Sequence, residues 1–145
     1  MIDRDARNLA ISFLIEIRDK RLLTNWKLED NWPSSISDPA INCILHWLWT
    51  LYDDFLEVSL IEILSKQDLQ IIDRCYVFLS SDIEFRVQKL KKISFWEKIK
   101  IKIQWGSEWR LDCILPTYTD NDFWPFPDQE AYDNIFSIKE GVEIK

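Results

Sequence analysis

The chain has 145 residues and only two glycines, Gly106 and Gly141. Tight hairpin turns draw on residues that accept positive φ, glycine first among them. A sandwich or barrel with many such turns therefore fits this sequence poorly. The same scarcity removes a set of functions. Walker loops, Rossmann fingerprints and kinase phosphate loops each need several closely spaced glycines, and none of these motifs occurs. Helices are left as the main building material.

The clearest helix runs from Asp38 to Leu56, DPAINCILHWLWTLYDDFL. Asp38 can accept a free backbone N–H at its start. Pro39 sits at the first helical position, where its missing N–H costs nothing. Ile41, Ile44, Leu45, Leu48, Leu51, Tyr52 and Phe55 then follow at spacings of three and four, which places them in one stripe. Asn42, Cys43, His46, Thr50, Asp53 and Asp54 fall opposite, with Trp47 and Trp49 at the borders. Burying each large aromatic is worth roughly 2–3 kcal/mol. The rest of the core is expected to gather around this helix.

The other elements follow in order. A first helix is expected from Asp3 to about Leu23, with Ala6, Leu9, Ala10, Phe13 and Ile17 inward. Its acids come first and its bases last, as the helix dipole prefers. Thr24 to Ser37 reads as an ordered loop holding Trp26 and Trp32. Ser65 and Asp68 form a capping box that opens a third helix to about Ser80. Leu69, Ile72, Cys75, Tyr76 and Leu79 make its stripe, widened by Ile71 and Phe78. Ile99, Ile101, Ile103 and Trp105 alternate with polar residues, and Trp109, Leu111 and Cys113 do so after Gly106-Ser107. Period two predicts a hairpin there, with a helix from Phe95 to Trp105 as its rival. Asp128 can cap a short final helix near Gln129, with Tyr132, Ile135 and Phe136 inward, and Ser137 to Lys145 reads as a loose end or short strand. The expected fold is mainly α, with three to five helices packed round a central one and room for a small C-terminal β-hairpin. An α+β arrangement is the alternative. One domain over residues 1–145 is expected, long enough to bury about two-thirds of its unfolded surface.

Three cysteines at long spacings, Cys43, Cys75 and Cys113, suggest a reduced protein rather than a disulfide scaffold. The N-terminus lacks the pattern of a signal peptide. No apolar run approaches the roughly 20 residues of a membrane span. A cytoplasmic protein is expected.

The net charge is −7. It disfavours nucleic acid, whose phosphates would be repelled, and favours a basic partner. The charge is also segregated. Arg86 to Lys102 carries seven bases against Glu97, while Asp112 to Asp133 carries six acids and no base. The two stretches could pair with each other. The sharper reading is that the acidic stretch faces a partner, with its aromatics as buried anchors. Asp120, Asp122, Phe123, Trp124, Asp128, Glu130 and Asp133 are the candidate partner-binding residues. Trp26, Glu29, Asp30 and Trp32 of the preceding loop could join them.

Enzymatic constellations are weaker. Cys43 and His46, three apart on the polar side of the central helix, could share a ligand. Zinc sites of structural type need about four ligands, and His46 is the only histidine. A Cys–His nucleophilic pair would lack a recognisable oxyanion loop. Asp53 and Glu57, one turn apart, could converge, but a solvated helix end is the ordinary explanation; Asp82 and Glu84 read the same way. No catalytic residue, metal or cofactor is assigned.

The acidic, aromatic-rich character, with segments such as LEDNWP (28–33) and DNDFWPF (120–126), resembles in general type the immunity proteins of bacterial polymorphic-toxin systems. That resemblance carries no site residues across. It implies a cytoplasmic, non-enzymatic inhibitor that binds a toxin domain, often a basic nuclease, and occludes its active site. The alternatives are a small metal-dependent hydrolase using Asp53, Glu57, His46 or Cys43, and a self-associating structural subunit. The inhibitor itself could be a monomer or a homodimer.

Overall fold

The computed structural model describes residues 1–19, 24–51, 64–86, 94–97, 99, 116 and 119–143. The described residues contain no strand, and their longer helices are α1 (Arg4–Arg18), α2 (Asn25–Asn31), α3 (Pro39–Trp49), α4 (Lys66–Ser80) and α5 (Gln129–Glu143). The fold is mainly α, as the sequence predicts. The expected hairpin lies outside the described residues, apart from Ile99, whose backbone is helical like that of Phe95 to Glu97.

Each helix start carries the cap its sequence offers. Asp3 accepts the Ala6 N–H at 3.0 Å, and Thr24 accepts the Lys27 N–H at 3.3 Å. Asp38 accepts the Ala40 N–H at 3.3 Å, with Pro39 behind it. Ser65 and Asp68 complete the expected capping box, each side chain accepting the other's backbone N–H at 3.1 Å. Asp128 accepts the Ala131 N–H at 2.8 Å and opens α5. These bonds satisfy donors that a helix start leaves unpaired.

Several boundaries and faces differ from the expectation. The stretch expected to be a loop contains α2, a helix of 7 residues. Among its described side chains only Leu28 is fully buried, so no periodic stripe announces it. α1 closes at Asp19, whose N–H bonds Ile15 O and Ile17 O. α3 ends at Trp49 with Thr50 as its cap; Tyr52 to Leu56 lie outside the described residues. α5 runs on through Glu143, where a loose end or strand was expected. In α3 the buried side chains are Ala40, Ile41, Cys43, Ile44, Trp47 and Leu48. That face is turned roughly 60° from the predicted stripe at about 100° per residue. Cys43, assigned to the polar side, is fully buried, while Leu45 is only half-buried. Leu9 and Leu69 are exposed rather than inward.

α1 packs chiefly against α4 and also against α3. At the end where the starts of α1 and α3 meet the end of α4, Arg7 lies fully buried. Its Nε donates to Asp38 Oδ2 at 2.6 Å and its Nη2 to Asp38 Oδ1 at 3.3 Å. Nη1 donates to Ser81 O at 3.1 Å. The Phe78 ring centroid lies 5.1 Å from the guanidinium carbon, within cation–π range. Asp38 also accepts the Asp3 N–H at 3.2 Å and donates its own N–H to Ser35 Oγ at 3.2 Å. Arg4 extends the cluster. It donates to Leu79 O at 2.9 Å and Ser81 O at 3.0 Å, and pairs with Asp82. Two guanidinium groups of α1 thus bond carbonyls that the end of α4 leaves without helical partners.

A buried ion pair that loses one member leaves an uncompensated charge, at a cost of about 3–5 kcal/mol. Arg7→Met and Asp38→Asn are each expected to destabilise the protein strongly in urea unfolding. The double variant is expected to lose less than the two singles added. Single variants within about 1 kcal/mol of the parent would show that the pair is not structurally important.

Candidate functional site

The segment from Thr119 to Asp133 contains most of the predicted partner-binding residues. Its turn is organised by Asn121. The side-chain oxygen accepts the Phe123 N–H at 2.9 Å, and the amide nitrogen donates to Phe126 O at 2.7 Å and Pro127 O at 3.3 Å. Backbone bonds from Trp124 to Asn121 O, 3.3 Å, and from Phe126 to Phe123 O, 2.9 Å, tighten it further. The Trp124–Pro125 peptide is cis. Arg74 of α4 reaches across to donate from Nε to Trp124 O at 3.1 Å.

This wrapping divides the segment by chemistry. Trp124 and Phe126 are fully buried. Trp124 lies 6.0 Å from Trp47 of α3, and Phe126 meets Phe78 of α4 edge to face at 5.3 Å. Phe126 and Phe123 both contact Tyr132 of α5, at 5.4 Å and 5.3 Å, and Tyr132 contacts Phe136 at 4.5 Å. Asp120, Asp122, Asp128, Glu130 and Asp133 remain exposed. The expectation of aromatic anchors on the surface is corrected here: Trp124 is a core residue and Phe123 is half-buried. Apolar area of this size drives the rings inward, and the polar turn lets them go there while its carboxylates stay in water.

The second predicted stretch divides in the same way. Trp32 is buried, 6.0 Å from Phe13, and its Nε1 donates to Ile41 O at 3.1 Å. It covers the core between α1 and α3 and offers no surface anchor. Trp26 is 57% exposed, beside exposed Glu29 and Asp30. Other exposed aromatics are Phe95 and Trp96, at 70% and 73%, with ring centroids 6.0 Å apart.

An open groove of about 460 Å³ lies beside the start of α5. Ile83, Glu84 and Arg86 form one side, and Pro127, Asp128 and Glu130 belong to the other. The structure therefore joins two predicted site residues, Asp128 and Glu130, to Glu84, for which the sequence predicts only a solvated acid. The chain separation between the two walls left no local pattern to find. Of the basic stretch 86–102, Arg86 stands on this groove; Lys89, Lys91, Lys92, Lys98, Lys100 and Lys102 lie outside the described residues.

Of the residues considered for catalysis, Cys43 and His46 are among those described. Among the described residues, no three His, Cys, Asp or Glu side chains come together to hold a metal ion. Cys43 is buried, His46 stacks near Trp49 at 5.7 Å, and Asp53 and Glu57 lie outside the described residues. Burial pushes the Cys75 thiol well above its ordinary pKa, so it remains an unreactive core group. The Ala6 N–H and the Ser35 hydroxyl, which donates at 2.8 Å, hold the Asp3 carboxyl below its usual value. Among the described residues no helix is long and apolar enough to cross a membrane.

Compared with known proteins, the chain matches no family model, and no curated protein and no solved structure is significantly similar to it.

The contrast between the tryptophans is directly measurable. Trp124→Ala should destabilise the protein by about 3–5 kcal/mol, the usual cost of truncating a buried aromatic. Trp26→Ala should stay within about 0.5 kcal/mol of the parent, as exposed substitutions do. Denaturant midpoints for the two variants check the assignment, and equal losses would contradict it.

Proposed function

We propose that this chain is a protein-binding inhibitor, an immunity protein of the toxin-neutralising type. In this reading it covers a basic active site, such as that of a nuclease domain, with the acidic surface of residues 120–133. The observation that carries the reading is the division of that segment. Five carboxylates stand in solvent on a turn and helix start that buried Trp124 and Phe126 hold in place. A fixed array of like charges raises the encounter rate with an oppositely charged partner and suppresses wrong ones. The net charge of −7 acts in the same direction. Because Trp124 is inside, the array contributes steering and orientation rather than aromatic contact area. Exposed Trp26, with Glu29 and Asp30, could add a separate contact.

Exposed Phe95 and Trp96 favour a second reading, self-association through an aromatic patch. Light scattering separates the two, since a dimer that dissociates in Phe95→Ser/Trp96→Ser would support self-association.

Capture from a lysate of the native source at low and high salt tests the inhibitor reading. The expected result is one basic protein bound stoichiometrically and released by salt. With that partner, D120N/D122N/D128N should slow association and flatten its salt dependence. Asn at position 128 keeps helix-capping ability, so the variant should remain folded. An unchanged association rate would remove the acidic segment from the interface.

A further inference from the structure

We infer that Phe95 and Trp96 are the anchor with which this protein docks on the surface of an anionic lipid membrane. The docking is a further property of the chain and stands apart from the acidic surface at residues 120–133.

The pair is fixed in place and left in water. Ser94 Oγ accepts the Glu97 N–H at 3.2 Å and opens a helical turn over residues 95–97. The two ring centroids are 6.0 Å apart, with the rings inclined at 70°. Phe95 is 70% exposed and Trp96 73%. By contrast, Trp32, Trp47 and Trp124 are buried in the core. Two adjacent aromatic side chains in solvent form a patch of the kind that marks a contact surface.

The second observation is charge. Residues 86–102 carry seven bases against one acid, Glu97, in a chain whose net charge is −7. Lys91, Lys92, Lys98 and Lys100 each stand within four residues of the pair in sequence. Four residues of chain reach no further than about 15 Å, so these charges belong to the neighbourhood of the rings. A membrane surface takes up that combination: aromatic rings settle at the headgroup level and ammonium groups meet lipid phosphates. Among the described residues no helix is long and apolar enough to cross a membrane; the contact inferred is with its surface. Other occupants fit less well. Single-stranded nucleic acid stacks successive bases on aromatic faces, and a steeply inclined pair does not offer two parallel faces. A second copy could offer the carboxylates of residues 120–133. Trp124 and Phe126 beneath them are fully buried, so those carboxylates would meet the lysines and leave the rings without an apolar counterpart.

The test is cosedimentation of the full chain with lipid vesicles, either phosphatidylcholine alone or phosphatidylcholine mixed with phosphatidylglycerol. The expected result is binding to the mixed vesicles, much weaker binding to phosphatidylcholine alone, and release at high salt as the charges are screened. F95S/W96S should weaken binding at least about tenfold, since two rings lose their burial in the lipid interface. F95W/W96F keeps the aromatic area and should bind as the parent does. Both positions are exposed, and circular dichroism verifies that the variants fold. Absence of binding to the mixed vesicles would overturn the proposal, as would equal binding to both vesicle types or equal binding by F95S/W96S. A dimer that F95S/W96S dissociates, without vesicle binding, would assign the pair to a second copy. Capture of a single-stranded oligonucleotide in place of vesicles would assign it to nucleic acid. Either result would overturn the membrane contact. The lysate capture decides the inhibitor reading independently.

Discussion

The fold depends on one buried charge pair. Arg7 and Asp38 are both almost wholly removed from solvent, which is costly for either alone. The cost is offset because each makes further bonds that no apolar pair would make. Asp38 caps α3 and holds the start of α1 through the Asp3 N–H. Arg7 reaches Ser81 O just past the end of α4 and lies against Phe78. Three helix ends converge on one pair of side chains. Helix starts attract carboxylates and helix ends attract cations, so the charges follow the local dipoles as well as each other. Such a junction fixes which helix ends can meet, a constraint that hydrophobic burial alone does not impose.

The aromatic core shows a second kind of order. Phe78 meets Phe126 and Phe85 near right angles, at 5.3 Å and 6.3 Å, an arrangement favoured by ring quadrupoles. Tyr132 joins Phe123, Phe126 and Phe136. Through these rings the turn at 119–128 is fastened to α4 and α5, and through Trp124 and Trp47 to α3. The polar side chain of Asn121 closes the turn so that the rings can point inward without stranding its backbone. The position of the acidic surface is therefore a consequence of packing beneath it.

Helices α1, α3 and α4 were legible in the sequence because each has a capping residue and a stripe at helical spacing. The Ser65–Asp68 capping box and the Asp38–Pro39 start are where local signals and structure agree most closely. α2 was not legible, since seven residues with one buried leucine produce no period. The buried face of α3 is turned from the predicted stripe, taking in Cys43 from the opposite side, because Trp47 at the stripe's border packs against Trp124, far along the chain. Arg7 stood in the helical register of Ala10 and Leu14, but sequence rules place arginine outside unless a partner is known, and Asp38 is distant. The acids of the candidate site were legible from charge segregation. The inward turn of Trp124 and the part played by Glu84 were not, because both arise from contacts between distant segments.

The turn built around Asn121 has a consequence for how this protein can change over generations. Its inner residues, Trp124 and Phe126, are tied to three helices, and Asn121 and Asp128 are tied to the backbone. Asp120, Asp122, Glu130 and Asp133 carry none of these duties in the turn's geometry. A substitution among them alters the surface presented to the outside while leaving the supporting framework as it was. Four neighbouring positions can thus drift or be selected almost independently of stability, and one scaffold can present many different charge patterns on the same rigid base.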